Sequence, residues 1–208
     1  MKVYEHSSYE EYKQKNVELN VQKLPHVSNL IDKYLPVADY IKKNMPWAKF
    51  GMCHGSRNAK EIMIFRDKLS NCEVFGTDIS HTATDYPYTI EWDYHNVKEE
   101  WLDRFDFIYS NTLDHSHSPQ YAVYQWIRCL NENGLCFVEW DIDKEEVENA
   151  ADCFGATCQE YREIFQNMGC LYGELEIQNP RMAFILHKIP VNFNKIKRLN
   201  KFNASETI

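Results

Sequence analysis

Two acidic residues end apolar, strand-like segments, a position in which their carboxylates suit a polar ligand. Asp78 closes the segment "CEVFGTD", and Asp93 closes the segment "YTIEWD". A carboxylate has two acceptor oxygens, so Asp78 can accept hydrogen bonds from both hydroxyls of a ribose. Asp93 can accept from an adenine amino group while Trp92 or Tyr94 covers the base. The alternative for either acid is a helix cap or an ordinary surface position.

The segment "FGMCHGSRN" begins as a buried strand and continues into a helical pattern, with a turn at residues 53–57. Gly55 lets the backbone approach a ligand closely, and Ser56 can cap the following helix. A helix N-terminus there presents unpaired N–H groups to an electron-rich ligand. His54 either lines such a pocket or fills the turn. The alternative is a tight strand-to-helix turn without a ligand.

A third group of polar residues lies in "YSNTLDHSHSP", which contains Asp114, His115 and His117. Carboxylate oxygens and imidazole nitrogens bind divalent metals. The H-x-H spacing in a loop is a weak metal pattern, however, and no third histidine is placed by spacing, so we expect no metal. The structural alternative is that these residues cap the next helix and bond the backbone.

The composition is that of a folded domain with an acidic surface. The 208 residues are 44% hydrophobic and 14% aromatic, and the net charge is −8. This balance disfavours nucleic acid as the main partner, because phosphate contacts need an excess of Lys and Arg. We find no apolar run long enough for a membrane span and no secretory signal. The seven scattered cysteines are typical of reduced thiols, so we expect a cytoplasmic protein.

Strand-like and helix-like segments alternate after Pro46. The strand-like ones are "WAKFGMC", "CEVFGTD", "YTIEWD", "DFIYSN", "NGLCFVEWD" and a closing hairpin, "LYGELEIQ" with "RMAFILHKI". Helical patterns follow most of them, and Gly169 closes the last one. This alternation predicts a doubly wound α/β fold with a mainly parallel sheet and one antiparallel strand from the hairpin.

Two terminal segments flank this core, which we place at residues 46–190. Residues 1–45 read as a helical extension, in which five apolar positions suit one amphipathic helix: Leu24, Val27, Leu30, Ile31 and Leu35. Residues 191–208 form a basic tail that we expect to be poorly ordered, with a contact to an anion as the alternative.

Four motifs in this order resemble those of class I S-adenosylmethionine-dependent methyltransferases: "FGMCHGSRN", "VFGTDIS", "FDFIYSNTLDHSHSP" and "LNENGLCFVEWD". The resemblance runs from about residue 48 to 188 and implies a seven-stranded, Rossmann-like sheet, with an N-terminal helical lid over the substrate. The alternative is that the N-terminal helices only pack against one side of the sheet. The family's glycine-rich turn is incomplete here, because Cys53 and Arg57 stand where glycines are usual. Gly51 lies near the position at which the family usually has an acid that contacts the methionine amino group. The resemblance therefore suggests that His54 or Asn58 makes this contact instead.

The resemblance implies S-adenosylmethionine as cofactor, S-adenosylhomocysteine as product and methyl transfer to a small-molecule acceptor. The expected cofactor contacts are Cys53, His54, Gly55, Asn58, Asp78, Ile79, Asp93, Tyr94, Asn111 and Thr112. Methyl transfer needs alignment, exclusion of water and removal of the acceptor's proton. The resemblance puts His115 first and His117 second as general base, with Asp114 orienting an imidazole or holding an acceptor ammonium.

Two other functions fit parts of the pattern. An NAD-dependent oxidoreductase would also use Asp78 for its ribose, but the turn lacks G-x-G-x-x-G. A catalytically inactive, methyltransferase-like binding protein would explain the glycine-poor turn. The acceptor, the oligomeric state and the pathway do not follow from the sequence.

Overall fold

The structure, a computed structural model, describes residues 1–24, 31–147, 149–190, 199–200 and 202. Its centre is a seven-stranded sheet in the order β4-β3-β2-β5-β6-β9-β8. The strands are β2 (Phe50–His54), β3 (Glu73–Asp78), β4 (Thr89–Glu91), β5 (Phe105–Ser110), β6 (Leu130–Trp140), β8 (Leu171–Gln178) and β9 (Arg181–His187). Strands β4, β3, β2, β5 and β6 are parallel, and β9 is antiparallel to both neighbours. The predicted fold is confirmed.

Alternate side chains of the central strands point to opposite faces of the sheet. Because these side chains are apolar on both faces, helices cover both faces. Their bounds are α2 (Leu35–Asn44), α3 (Lys60–Lys68), α4 (Pro119–Cys129) and α5 (Cys158–Met168). One core contains Ile108 and Val138 with Trp126 of α4. The other contains Phe107 with Phe65 of α3 and Ile41 of α2. These two cores hold the carboxyl ends of the strands in place.

Both ends of α5 follow signals in the sequence. Thr157 and Glu160 form a reciprocal capping box at its start. Gly169 ends it with φ +78°, a left-handed conformation that glycine adopts without steric cost, as predicted.

The start of α3 differs from the prediction. The helix begins at Lys60, and its N-cap residue, Ala59, makes no capping hydrogen bond through its side chain. The Ser56 hydroxyl instead donates to the carbonyl of Cys53 over 3.1 Å. The predicted cap at Ser56 is wrong, because the turn runs on through Arg57 and Ala59, both at positive φ. No helix N-terminus therefore follows Gly55 directly.

The N-terminal 45 residues do not form the single helix that we predicted across Leu24–Leu35. Helix α1 (Tyr9–Lys23) ends before Leu24, and α2 begins at Leu35 after a 3₁₀ turn at Ile31–Lys33. The positions of Val27 and Leu30 lie outside the described residues. A short strand, β1 (Lys2–Val3), precedes α1 and pairs with β7 (Phe154–Gly155).

Most of the basic tail, from residue 191, lies outside the described residues. Phe202 is described, and its ring lies 4.7 Å from that of His117 and 6.0 Å from that of Tyr9. None of the helices in the described part of the chain combines the length and apolar character that crossing a bilayer requires.

Candidate functional site

Helix α1 lies across the carboxyl ends of β2, β3 and β4, and the space beneath it is termed the α1 cleft. The cleft encloses about 500 Å³, including its solvent-open part, and about 50 Å³ of it admits the centre of a water molecule. Its lining residues are Tyr12, Asn16, Leu19, Asn20, Lys23, Gly55, Arg57, Asp78, Ile79, Asp93, Tyr94, Thr112 and His115. Both predicted acids thus meet in one cleft. Sites of this kind form at the carboxyl edge of parallel sheets.

Asp78 is buried and directs its carboxylate into the cleft. Its Oδ2 accepts from the Arg57 backbone N–H and its Oδ1 from that of Ser80, each over 2.9 Å. Burial raises the pKa of Asp78, although these backbone hydrogen bonds oppose the rise. The side-chain amide of Asn20, on α1, also donates to Oδ1 over 2.9 Å. The Asn20 side chain therefore already donates to Oδ1 of Asp78, an oxygen that would accept from a ribose hydroxyl.

Asp93 is held by three donors. Its Oδ1 lies 2.7 Å from Nδ1 of His95 and 2.9 Å from that residue's backbone nitrogen, and its Oδ2 accepts from the Tyr9 hydroxyl over 2.8 Å. Burial alone would raise the pKa of Asp93, but the interactions with His95 outweigh it and hold the pKa below its usual range. His95 lies in a polar stretch of the sequence, and nothing in the pattern singled it out.

Tyr94 forms part of the cleft wall between Asp93 and the loop after β5. Its hydroxyl donates to the carbonyl of Thr112 over 3.1 Å, which fixes the ring. The indole of Trp92 instead donates to the carbonyl of Asn96 and does not line the cleft. Of the two predicted aromatic covers, the structure brings only Tyr94 to the site.

Gly55 and Thr112 separate the α1 cleft from a second cavity. Gly55 has φ +72°, and a Cβ atom there would lie 2.2 Å from Oγ1 of Thr112. Only glycine therefore fits, and it allows the turn after β2 to contact the loop after β5. Both residues, together with Arg57, line the two cavities on either side.

The second cavity, termed the Lys33 pocket, lies between the start of α2, the turn after β2 and the loop after β5. It encloses about 420 Å³ with its solvent-open part. It is lined by Lys33, Tyr34, Gly55, Ser56, Arg57, Asn58, Lys60, Glu61, Asn111 and Thr112. Two predicted cofactor residues, Asn58 and Asn111, thus face this pocket and not the α1 cleft.

The structure does not bring the side chains of Cys53 and His54 to either cavity. Cys53 is fully buried in the core beneath α3. His54 points to the opposite face, where Nδ1 lies 2.8 Å from Oγ1 of Thr77 and the ring stacks on Trp126 at 5.1 Å. Burial lowers the pKa of His54 to about 3, so the ring is neutral at pH 7. Because β2 is buried on both faces, its sequence does not show which side chains reach the edge.

His115 lies at the border of the α1 cleft and is the one predicted base that faces it. Its Nδ1 lies 3.0 Å from the carbonyl of Ala151 and 3.2 Å from a carboxylate oxygen of Asp152. Its Nε2 lies 3.8 Å from Oδ2 of Asp114. A proton on Nδ1 satisfies the first two contacts and leaves Nε2 free to accept a proton.

Asp114 lies behind His115 and faces a third, acidic pocket. Burial opposes the ionisation of Asp114, but Lys144, whose Nζ lies 3.1 Å from Oδ1, and His115 hold its pKa below its usual value. The pocket encloses about 730 Å³ with its solvent-open part. It is lined by Lys23, Asp114, Asp141, Asp143, Lys144, Glu146, Asp152 and Arg181. His115 therefore separates the α1 cleft from a polar space.

His117, the second predicted base, is buried away from the α1 cleft. Its Nδ1 lies 2.8 Å from the hydroxyl oxygen of Ser118, and its ring stacks on His95 at 3.9 Å. Tyr12 of α1 covers the same ring at 4.6 Å. His117 thus packs between Tyr12 of α1 and His95.

Two groups of three side chains lie close enough to share an ion: Asp93, His95 and His117, and Asp114, His115 and Asp152. In the first group both ring nitrogens of His95 are in hydrogen-bond contact, Nδ1 with Asp93 and Nε2 with Ser116 at 2.7 Å. In the second, Asp114 is paired with Lys144. These contacts join the side chains of each group into a hydrogen-bonded or ion-paired network.

Solved structures share this fold although no protein-family model and no curated protein matches the sequence. The Burkholderia thailandensis 1,6-didemethyltoxoflavin-N1-methyltransferase, solved with 1,6-didemethyltoxoflavin and S-adenosylhomocysteine, gives a TM-score of 0.70 at 11% identity, covering 90% of this chain and 93% of its own. An Aquifex aeolicus S-adenosylmethionine-dependent methyltransferase gives a TM-score of 0.59 at 11% identity, covering 79% of this chain and 96% of its own. A Thermotoga maritima methyltransferase described as a possible histamine N-methyltransferase gives a TM-score of 0.57 at 12% identity, covering 86% of this chain and 99% of its own. The chain thus has the class I methyltransferase fold.

Proposed function

We propose that this protein transfers a methyl group from S-adenosylmethionine to a small-molecule acceptor. The observation that carries the proposal is the buried carboxylate of Asp78, which faces the α1 cleft beside Gly55 at the carboxyl edge of the sheet. A neighbour with the same fold was solved with bound S-adenosylhomocysteine. The Asn20 amide on Asp78 supports the fit, because it shows that this carboxylate accepts a neutral donor from the cleft side.

The cofactor supplies a methyl group on a positively charged sulfur, and this chain's residues bind and orient the reactants. Asp78 accepts from the ribose hydroxyls, and Asp93 accepts from the adenine amino group beside Tyr94 and Ile79. Thr112, together with Asn58 and Asn111 of the Lys33 pocket, contacts the methionine end. Both acids need α1 to move outward first, because Asn20 and Tyr9 occupy their oxygens.

His115 accepts the proton of the acceptor in this proposal. The position of His115 on the wall of the α1 cleft, next to Asp114 of the acidic pocket, supports this role. Asp152 and the carbonyl of Ala151 orient the ring through Nδ1, and Asp114 stabilises the imidazolium that forms. His117 has no such access and acts as a positioning residue.

The turn after β2 favours this function over NAD-dependent oxidation. A pyrophosphate needs backbone N–H groups from a helix that begins directly after the glycine turn. Here α3 begins only at Lys60, after Arg57 and Ala59 in left-handed conformations. S-adenosylmethionine has no phosphate and does not need backbone N–H groups from a helix at this position.

The melting temperature with S-adenosylmethionine, S-adenosylhomocysteine and NAD tests the proposal, because a ligand that binds only the native state raises it. We expect both adenosyl ligands to raise it and NAD to leave it unchanged. A rise with NAD alone would indicate an oxidoreductase. No rise with any of the three would favour a binding protein of another kind.

The role of His115 is tested by turnover. We expect His115→Ala to slow transfer of a labelled methyl group by about 100-fold, the usual contribution of a general base, with unchanged affinity for S-adenosylhomocysteine. The acceptor for this assay comes from a panel of small phenols and amines. The exposed His81 provides the matched control, His81→Ala. Equal losses of binding and turnover would mean that His115 is structural.

A further inference from the structure

His95 is a buried residue that contacts two parts of the site without facing a cavity. Only 2% of the residue is exposed, and it does not line the α1 cleft, the Lys33 pocket or the acidic pocket. One ring nitrogen lies beside Asp93, which follows β4, and the other beside Ser116, which follows β5. A residue in this position acts on a ligand only through its neighbours.

His95 holds one oxygen of the Asp93 carboxylate from two sides. Its backbone nitrogen donates to Oδ1 of Asp93 over 2.9 Å, and Nδ1 of its ring lies 2.7 Å from the same oxygen. An ionised carboxylate only accepts hydrogen bonds, so Nδ1 carries a proton. The other oxygen, Oδ2, accepts from the Tyr9 hydroxyl on α1. His95 therefore fixes Oδ1, and Oδ2 is the oxygen that an outward movement of α1 would release.

The second ring nitrogen of His95 holds the loop after β5. Nε2 lies 2.7 Å from Oγ of Ser116, which is fully buried and also accepts from the backbone N–H of Ser118 over 3.2 Å. Ser116 directly follows His115. The backbone N–H groups of His115 and Ser116 each donate to a carbonyl three residues earlier over 3.0 Å. The contact at Nε2 thus supports the turn on which His115 lies.

We propose that His95 is a positioning residue with two separable contacts: Nδ1 orients the Asp93 carboxylate toward the adenine amino group, and Nε2 holds the loop that carries His115. The proposal rests on the proposed function, which assigns Asp93 to adenine and His115 to the acceptor. The ring of His95 stacks on that of His117 at 3.9 Å, and this packing keeps both nitrogens in their contacts.

Two substitutions of His95 separate its contacts, because each places an amide at one of the two ring-nitrogen positions. The amide nitrogen of His95→Asn is as many bonds from Cβ as Nδ1 and reaches Asp93, but the side chain is too short for Ser116. The amide of His95→Gln extends to the position of Nε2 and reaches Ser116 in place of Asp93. His81→Asn and His81→Gln, at an exposed position, are the matched controls.

Calorimetry with S-adenosylhomocysteine and S-inosylhomocysteine measures the contact to Asp93, because the second ligand has an oxygen in place of the adenine amino group. We expect the wild type and His95→Asn to prefer S-adenosylhomocysteine to the same degree. His95→Gln should reduce this preference by about 10-fold, the value of one charge-assisted hydrogen bond. A loss of affinity that is equal for both ligands would mean that His95 is only structural and would overturn the proposal.

Hydrogen exchange at the amides of His115 and Ser116 measures the contact through Nε2 and needs no acceptor. We expect exchange to be about 5- to 10-fold faster in His95→Asn, as the loss of one neutral hydrogen bond implies. In His95→Gln the wild-type rate should remain. Faster exchange in both variants, or in neither, would overturn the proposal.

Ser116→Ala is an independent variant that decides the question if the His95 variants do not fold. It removes the same contact without changing His95, so it should exchange like His95→Asn and keep the wild-type preference for adenine. Loss of that preference in Ser116→Ala would show that the two contacts are not separable. Wild-type protein that binds neither ligand would contradict the proposed function itself, and the exchange rates would still decide the contact through Nε2.

Discussion

Helices α1 and α2 are neighbours in the sequence, but they are held to the molecule in different ways. Helix α2 buries Val37, Ala38 and Ile41 in the core under the sheet. Helix α1 is longer, yet it buries only Tyr12 and Asn16. Apolar burial holds α2 against the core, whereas α1 combines the buried ring of Tyr12 with polar contacts at the α1 cleft. The comparison supports α2 as part of the scaffold and α1 as a cover, whose contacts a ligand would replace under the proposed function.

The polar contacts of α1 involve the two acids of the α1 cleft. Asn20 donates to Asp78, and Tyr9 donates to Asp93. With α1 in this position the cleft has room for a water molecule but not for a nucleoside, since small-molecule sites usually need about 300 Å³ or more. Under the proposed function, ligand binding therefore requires α1 to shift.

The largest expected effect concerns the scaffold helix. Ile41→Ala removes a fully buried side chain and should lower the free energy of unfolding by about 2–5 kcal/mol. Leu19→Ala in α1 should lower it by less than about 1 kcal/mol, because Leu19 is only partly buried. Urea denaturation measures both. Equal losses would mean that α1 is as firmly packed as α2.

The second prediction concerns pH and the wall of the Lys33 pocket. The native pKa of Glu61 is raised from 4.5 to about 7 by burial, so the native state keeps a proton that the unfolded state releases in this range. Its contribution to stability is therefore present below pH 4.5 and is lost as the pH rises to about 7. The full loss corresponds to about 3 kcal/mol.

Urea denaturation of Glu61→Gln at pH 5 and pH 8 measures this term. We expect the variant to gain stability over the wild type as the pH rises, because glutamine does not ionise. Glu100→Gln, at an exposed position, should show no such trend. A difference between Glu61→Gln and wild type that is the same at both pH values would contradict the assignment of the raised pKa.

The smallest effect concerns the cover helix. Asn20→Ala removes a competitor for Asp78 and should raise the affinity for S-adenosylhomocysteine by about 2- to 10-fold, the value of one neutral hydrogen bond. Asn44→Ala, whose amide only bonds the Tyr40 carbonyl at the end of α2, serves as the control. Weaker binding in Asn20→Ala would show that Asn20 contacts the ligand and does not compete with it.

The sequence predicted the fold and part of the site for identifiable reasons. Alternating strand and helix patterns predicted the sheet, and strand ends placed Gly55, Asp78 and Asp93 at one edge. The directions of Cys53 and His54 did not follow, because a strand buried on both faces has no polar side to orient it.

The groups that reach the cavities from other elements were not predictable. Asn20 and Tyr9 lie on a polar helix, and only its tertiary position brings them to the acids. Glu61 belongs to α3, whose apolar side chains include Ile62 and Phe65, and its burial depends on the packing of α2 beside α3.

The binding of S-adenosylhomocysteine to Asp78→Ala, measured by calorimetry, tests the central claim most directly. Loss of a carboxylate that accepts from two hydroxyls should weaken binding by at least about 100-fold relative to wild type. Asp67→Ala changes an exposed acid on α3 and should leave the affinity unchanged. Wild-type affinity in a correctly folded Asp78→Ala variant would contradict the account.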